Sequence, residues 1–296
     1  MSNLLLMPMP GNEEMTSRLG AVLGADVGIL ETRRFPDGEA YLRLRTDVSG
    51  RSLAIVCTLD RPDEKFLPLS FAASTARDLG AARIGLIAPY LAYMRQDKRF
   101  NEGEAITSKY FAALVSPEFD WLVTVDPHLH RYSSLGEIYA IPSRTVHAGP
   151  ALSDWIQRNV TRPLVIGPDI ESEQWVQAVA RAVGCPYAVL RKERLGDRDV
   201  VISLPDLSAW KTRMPVLVDD IASSARTMIE ACRKLVSAGL PAPICIAIHA
   251  LLADDAYKEL GDVAARVVTT NTVVHESNDI DLCGLIAPEA RTLSGL

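Results

Sequence analysis

The sequence is short of positive charge: 31 Lys and Arg stand against 37 Asp and Glu, a net charge of −6. Such a chain has no global field with which to hold a polyanion such as DNA, so nucleic acid is not expected as a partner and any anionic ligand must be met locally. Cysteine is scarce as well. The five residues Cys57, Cys185, Cys232, Cys245 and Cys283 are odd in number and scattered, without a Cys-x-x-Cys pair, which argues against a disulfide framework and for buried thiols in a reducing compartment. The apolar run at 4–7 precedes the first basic residue, Arg18, and so lacks the positive flank of a secretory signal. Long hydrophobic runs are missing too. The longest uncharged stretch, 235–253, is broken by Gly239, Pro241, Pro243 and His249 and reads as helix end, turn and strand rather than a membrane span. A cytoplasmic protein with no membrane partner is expected.

What is present is a globular composition, 48% hydrophobic and 23% charged over 296 residues, enough for two domains of about 150 residues each. Short aliphatic runs at 52–57, 83–88, 121–125, 164–166, 187–190, 216–218 and 244–250 predict strands. Helical periodicity lies between them at 65–79, 107–115, 149–158, 171–183 and 227–238, the last with Ile229, Ala231, Cys232, Leu235 and Val236 near one face before Gly239. This alternation predicts an α/β fold, each domain a mainly parallel sheet flanked by helices. Two strands end alike, Val-Thr-Val-Asp at Asp126 and Val-Leu-Val-Asp at Asp219, which suggests two halves built on one plan. The boundary is placed near Ala148, giving domains 1–147 and 148–296.

Open α/β sheets bind ligands at the carboxyl ends of their strands, and five polar clusters fall at turns or strand ends. Phe35-Pro36-Asp37-Gly38-Glu39 reads either as a hairpin tip or as an aromatic platform with carboxylates for a nucleotide base. The stretch 89–99, with Arg95, Gln96, Lys98 and Arg99, is a solvated loop or a phosphate-binding one. Asp126-Pro127-His128-Leu129-His130-Arg131 holds a His-x-His pair without the further ligands of a complete zinc site, leaving a backbone-bonded imidazole or a contact to a metal–phosphate complex. Asp169 is a helix cap or a ligand, and the Lys192-Glu193-Arg194 loop that follows, with Leu195, Gly196, Asp197 and Arg198, suits a cationic segment closing over a phosphorylated substrate. The fifth cluster runs Asp219-Asp220-Ile221-Ala222-Ser223-Ser224-Ala225-Arg226-Thr227. Capping accounts for one acid; both acids plus the hydroxyls suit a ribose with its metal ion, the helix N-terminus facing an anion.

Taken in order, Phe-Pro-Asp-Gly-Glu, Arg-Gln-Asp, Val-Asp-x-His, Pro-Asp, Lys-x-Arg and Val-Asp-Asp-Ile, these motifs resemble the ribose-phosphate pyrophosphokinase family over nearly the whole chain. The resemblance implies two phosphoribosyltransferase-like α/β domains, ATP and ribose 5-phosphate as substrates, and Mg²⁺ as cofactor. It assigns Phe35, Asp37 and Glu39 to the adenine pocket of a neighbouring subunit, hence a homo-oligomer with its ATP site at a subunit interface. Arg95 and Gln96 would contact ATP, His128 and Asp169 match the metal positions, and Lys192 and Arg194 match the catalytic pair. Asp219 and Asp220 would take the ribose hydroxyls, and Ser223, Ser224, Ala225, Arg226 and Thr227 the 5-phosphate.

The reaction so implied is attack of the anomeric hydroxyl on the β-phosphorus of ATP, which asks mainly for positioning and charge neutralisation. The missing Gly-x-x-x-x-Gly-Lys-Ser/Thr loop is therefore no objection. Departures from the family pattern are Ala225 and Arg226 where two glycines are usual, Glu171 and Ser172 where two more are usual, and Pro127 with His130-Arg131 around His128. Two alternatives compete: a non-catalytic relative that assembles with or regulates a synthetase, opposed by Lys192 and Arg194, and a phosphoribosyltransferase, opposed by the Phe35 and Arg95 clusters.

Overall fold

The computed structural model describes residues 3–194 and 200–295, of which 171, 192–194 and 200–202 are described by backbone alone. Its chain forms two compact units, Met1–His147 with Thr272–Val274 and Leu282–Leu296, and Ala148–Asn271 with His275–Asp281.

The first unit contains β1 (Leu4–Pro8), α1 (Glu13–Leu23), β2 (Asp26–Val27), β3 (Leu30–Arg34), β4 (Ala40–Leu44), β5 (Ser52–Val56), α2 (Pro62–Asp78), β6 (Arg83–Ala88), α3 (Thr107–Val115), β7 (Trp121–Val125) and β8 (Ser143–Val146). Six strands form one parallel sheet in the order β2-β1-β5-β6-β7-β8, and β3 and β4 pair antiparallel as a separate hairpin. Every residue of β5 and β7 is buried, as expected of strands covered by helices on both faces. At the β6–β7 pairing, Gly85 stands opposite the fully buried Trp121, and a Cβ on Gly85 would lie 1.9 Å from the indole. Gly85→Ala is therefore expected to destabilise the protein by about 1–3 kcal/mol or more through overpacking. Thermal melts followed by circular dichroism test this; an unchanged melting temperature would mean that the indole shifts without strain.

The second unit contains α4 (Gly149–Asn159), β9 (Pro163–Gly167), α5 (Glu173–Val183), β10 (Tyr187–Val189), β11 (Arg191–Arg194), β12 (Val200–Ser203), β13 (Met214–Ala222), α6 (Arg226–Ser237), β14 (Ile244–Ala250), α7 (Ala256–Gly261), β15 (Arg266–Thr270) and β16 (Asn278–Ile280). Its parallel sheet runs β10-β9-β13-β14-β15-β16, with β11 and β12 as an antiparallel hairpin. The chain ends in α8 (Cys283–Ser294), which returns to the first unit. There α8 packs on α1 and on the β7–β8 side of the sheet, with Arg291 donating to the Leu23 carbonyl at 3.0 Å and pairing of Glu289 with Arg144 at 3.5 Å. The expected second domain 148–296 is thus corrected at its end: the apolar face of α8 is buried by elements from the first half of the chain.

Both sheets have the same strand order, and each unit inserts its hairpin between the second and third strands of the sheet. Two halves on one plan are therefore present, but in another register than the Val-Asp ends suggested. Asp126 follows β7, the fifth strand of its sheet, whereas Asp219 lies on β13, the third of its own. They look alike because both strands are central, parallel and buried. Smaller corrections follow from packing. In α6 Ile229, Ala231, Cys232 and Leu235 are buried but Val236 is 47% exposed, the inner face being completed by Met228. Cys185 is half-buried, whereas the other four cysteines are buried.

Candidate active site

In the second unit the strand order turns at β9 and β13: β10 lies on one side of β9, and β13 to β16 lie on the other. This is the topological switch point, where loops diverge and leave a crevice at the carboxyl ends. Asp169 leaves β9 there, and its carboxylate accepts from the Ser172 N–H at 3.2 Å, capping the short turn Ile170–Ser172 that leads into α5. The capping reading is thus realised, and α5 begins at Glu173 rather than 171. Ser172 also packs on Gly167, where a Cβ would fall 2.3 Å from its hydroxyl oxygen.

Asp219 and Asp220 lie within β13, which continues to Ala222 instead of ending at 218. The Asp220 N–H donates to Asp219 Oδ1 at 3.0 Å. Burial raises the pKa of Asp219 well above the carboxylate range, and repulsion from Asp220 and Asp169 adds to the rise. The structure therefore brings Asp169, Asp219 and Asp220 together electrostatically. Beyond them, Leu252 N–H donates to the Ala222 carbonyl at 2.8 Å and Ala253 N–H to the Ser223 carbonyl at 3.1 Å, fixing the entrance to α6. Ala225 precedes α6 with φ +52°, the left-handed conformation that favours glycine, and Arg226 is the first helical residue. The glycine-like backbone is retained without the glycine. Ser224 and Arg226 are exposed, while Ser223 and Thr227 are half-buried beside them.

β10 leads directly into β11, where Lys192 stands opposite Ile202 and Arg194 opposite Val200 across the hairpin. The side chains of Lys192 and Arg194, and residues 195–199, lie outside the described residues.

In the first unit, the Phe35–Glu39 turn closes the β3–β4 hairpin. Phe35 N–H donates to the Glu39 carbonyl at 2.8 Å, Gly38 N–H to the Phe35 carbonyl at 2.9 Å, and Glu39 N–H to Asp37 Oδ1 at 3.1 Å. Gly38 takes φ +93°, which the turn requires and glycine permits. The hairpin-tip reading holds, and it presents an aromatic: Phe35 is 40% exposed, with the Arg33 guanidinium 4.5 Å from its ring centre and Tyr41 edge-on at 6.1 Å.

Arg95 and Gln96 follow β6, the first exposed and the second half-buried, and His128 follows the adjacent β7. His128 Nδ1 lies 3.2 Å from His130 Nε2, with ring centres 3.7 Å apart. Asp126, at φ +30°, accepts from His147 Nδ1 at 2.8 Å, and this bond raises the pKa of the imidazole. Nothing in the local sequence links His147, at the end of β8, to Asp126; only the pairing of β7 with β8 does. His128 and Asp169 belong to different units, and among the described residues no three His, Cys, Asp or Glu side chains gather to hold a metal. Mg²⁺ prefers oxygen donors and is commonly held through one or two carboxylates plus substrate phosphate. A cation near Asp219 would relieve its repulsion with Asp220 and Asp169.

Comparison with known proteins gives one consistent result. Residues 4–117 match the model for the N-terminal domain of ribose phosphate pyrophosphokinase, and residues 134–281 match the phosphoribosyl transferase domain. The ribose-phosphate pyrophosphokinase of Sulfolobus acidocaldarius is 32% identical over 285 residues, covering 93% of this chain and 95% of that protein. That of Methanopyrus kandleri is 32% identical over 282 residues, covering 94% and 95%. The crystal structure of phosphoribosylpyrophosphate synthetase from Mycobacterium smegmatis superposes with a TM-score of 0.86 at 23% identity, covering 99% of each chain, a likeness of fold. With both of its parallel-sheet units matched and its length spanned by such relatives, the chain belongs to the ribose-phosphate pyrophosphokinase family.

Proposed function

We propose that this protein is a ribose-phosphate pyrophosphokinase that transfers the β,γ-diphosphate of MgATP to the anomeric hydroxyl of ribose 5-phosphate, giving phosphoribosyl pyrophosphate and AMP. The observation that carries this reading is the convergence of Asp169, Asp219 and Asp220 with the start of α6 at one switch point, in a chain of this family. Asp219 and Asp220 accept hydrogen bonds from the ribose hydroxyls. The turn Ser223-Ser224-Ala225-Arg226-Thr227 offers hydroxyls and the first N–H groups of α6 to the 5-phosphate, favoured there by the helix dipole. Arg226 adds a guanidinium that pairs with phosphate directly.

Arg95 and Gln96 hold the triphosphate of ATP. Phe35 stacks on the adenine from a neighbouring subunit while Asp37 and Glu39 accept from it. Mg²⁺, when bound, would neutralise charge on the phosphoryl oxygens; Asp169 would supply an oxygen donor for it, and His128 would contact phosphate or water. Lys192 and Arg194 neutralise the charge that develops on the transferred group. A homo-oligomer agrees with the exposed apolar residues Leu67 and Phe71 on α2 and Tyr110 and Leu114 on α3, helices joined by the Phe66–Phe111 ring contact. Among the described residues no helix is long and apolar enough to cross a membrane, and we place the enzyme in the cytoplasm.

Incubation with MgATP and ribose 5-phosphate, followed by chromatography of the nucleotides, tests the reading. AMP formed without ADP is the expected result. Nucleotide binding without turnover would overturn it in favour of a regulatory relative.

A further inference from the structure

The loop that carries Arg95 and Gln96 is held from below by the loop after β7. Asp97, next in sequence, has a side chain only 2% exposed, and Arg131 Nη1 donates to both of its oxygens, at 2.8 Å to Oδ1 and 3.0 Å to Oδ2. Tyr132 Oη donates to the Asp97 carbonyl at 3.2 Å and lies 3.4 Å from Ser108 Oγ, in the first turn of α3. Ser108 N–H donates in turn to the Gln96 carbonyl at 3.3 Å. Arg131 and Lys98 both approach the exposed ring of Phe100, at 5.6 and 4.9 Å from its centre. Two successive residues, Arg131 and Tyr132, thus fasten the carboxylate and carbonyl of Asp97, while Ser108 fastens the carbonyl of Gln96.

We propose that Arg131 is a positioning residue for the nucleotide: its ion pair with Asp97 fixes the loop from which Arg95 and Gln96 contact MgATP. This rests on the proposed reading of Arg95 and Gln96 as ATP contacts. Arg131 acts through Asp97, whose buried carboxylate accepts little rearrangement while its cation is present. A binding loop held in one geometry avoids ordering on each association, and small displacements of positioned groups cost heavily in rate and affinity. Within the sequence, Arg131 stood out as a departure from the family pattern after His128; the structure gives that departure a partner 34 residues away.

The test is Arg131→Gln, with Arg131→Lys and Asp97→Asn beside it. Arg131→Gln should raise KM for MgATP, and Kd for the Mg²⁺ complex of α,β-methylene-ATP measured by titration calorimetry, about 10- to 100-fold. KM for ribose 5-phosphate should stay unchanged. Arg131→Lys, whose ammonium can meet the same carboxylate, should recover most of the affinity, and Asp97→Asn should reproduce the selective rise. A purely structural role would lower melting temperature and the active fraction, leaving KM of the active molecules as it was. If Arg131→Gln does not fold, Asp97→Asn decides in its place. Unchanged nucleotide constants in the folded variants overturn the inference and leave the functional reading standing. A wild-type protein that neither binds the analogue nor makes AMP overturns both.

Discussion

Lys192→Ala is expected to lower kcat by about 10²- to 10³-fold while the apparent affinities for MgATP and ribose 5-phosphate stay within several-fold. The argument starts from the chemistry. In diphosphate transfer negative charge shifts among the phosphoryl oxygens as the bond to the AMP oxygen breaks, so a cation aimed at that charge acts most strongly in the transition state. The backbone of β11 starts immediately after β10, whose neighbour in the sheet, β9, ends near Asp169. An interaction made mainly in the transition state lowers kcat and kcat/KM together when it is lost, whereas loss of uniform binding raises KM and leaves kcat alone. Steady-state kinetics on the purified variant, with its oligomeric state compared with wild type, separates the two. A normal kcat with a raised KM for ATP would remove Lys192 from the catalytic pair.

Why the sequence revealed some of this architecture and concealed the rest follows from which interactions are local. The strands at β5, β6, β7 and β14 could be read directly because a parallel strand buried on both faces is a continuous apolar run. β11 could not, since Arg191-Lys192-Glu193-Arg194 has no apolar alternation and becomes a strand only by pairing with β12. The return of α8 to the first unit has no local signature either; its partners α1, β7 and β8 precede it by well over a hundred residues. Two adjacent acids after 218 look like a loop in the sequence, yet the pairing of Ile221 with His249 and Ala222 with Ala250 carries the β13 ladder past them.

The candidate site divides in the same way. Phe35, Asp219 and the start of α6 were visible because turn chemistry and strand–helix junctions are written in consecutive residues. The conformation of Ala225 was not: glycine is the usual signal for positive φ, and here an alanine adopts it, held by a hydrogen bond from Ile229 N–H to its carbonyl and by burial of its methyl group. A non-glycine residue in this conformation costs on the order of 1–2 kcal/mol, which the surrounding core must offset. Asp97 with Arg131 and Asp126 with His147 are pairs between neighbouring strand ends, so they exist only once the sheet order does.

Asp219 carries the prediction in which stability and function move in opposite directions. Its folded pKa is raised by burial and by the charges of Asp220 and Asp169, so the folded state holds its proton more tightly than the unfolded chain does. Stability from this group is therefore fully present below the unfolded carboxylate pKa and is lost as pH rises through the folded one. As pH rises above the unfolded carboxylate pKa the group therefore becomes a net cost to the empty protein. Asp219→Asn keeps the shape of the side chain, and its amide oxygen can still accept from the Asp220 N–H. The variant should melt about 2–4 °C higher than wild type at pH 7 to 8, the equivalent of about 1 kcal/mol for a protein of this size. That difference should shrink as pH falls toward the unfolded carboxylate pKa of about 4, where the unfolded chain also takes up the proton. Binding should move the other way. Replacing this carboxyl by an amide at the proposed position of the ribose hydroxyls should raise KM for ribose 5-phosphate about 10- to 100-fold. Calorimetric melts across that pH range, paired with kinetics on the same preparation, check both halves. A variant less stable than wild type at pH 8 would mean that ionised Asp219 is stabilised by its surroundings, and unchanged KM would remove Asp219 from the sugar site.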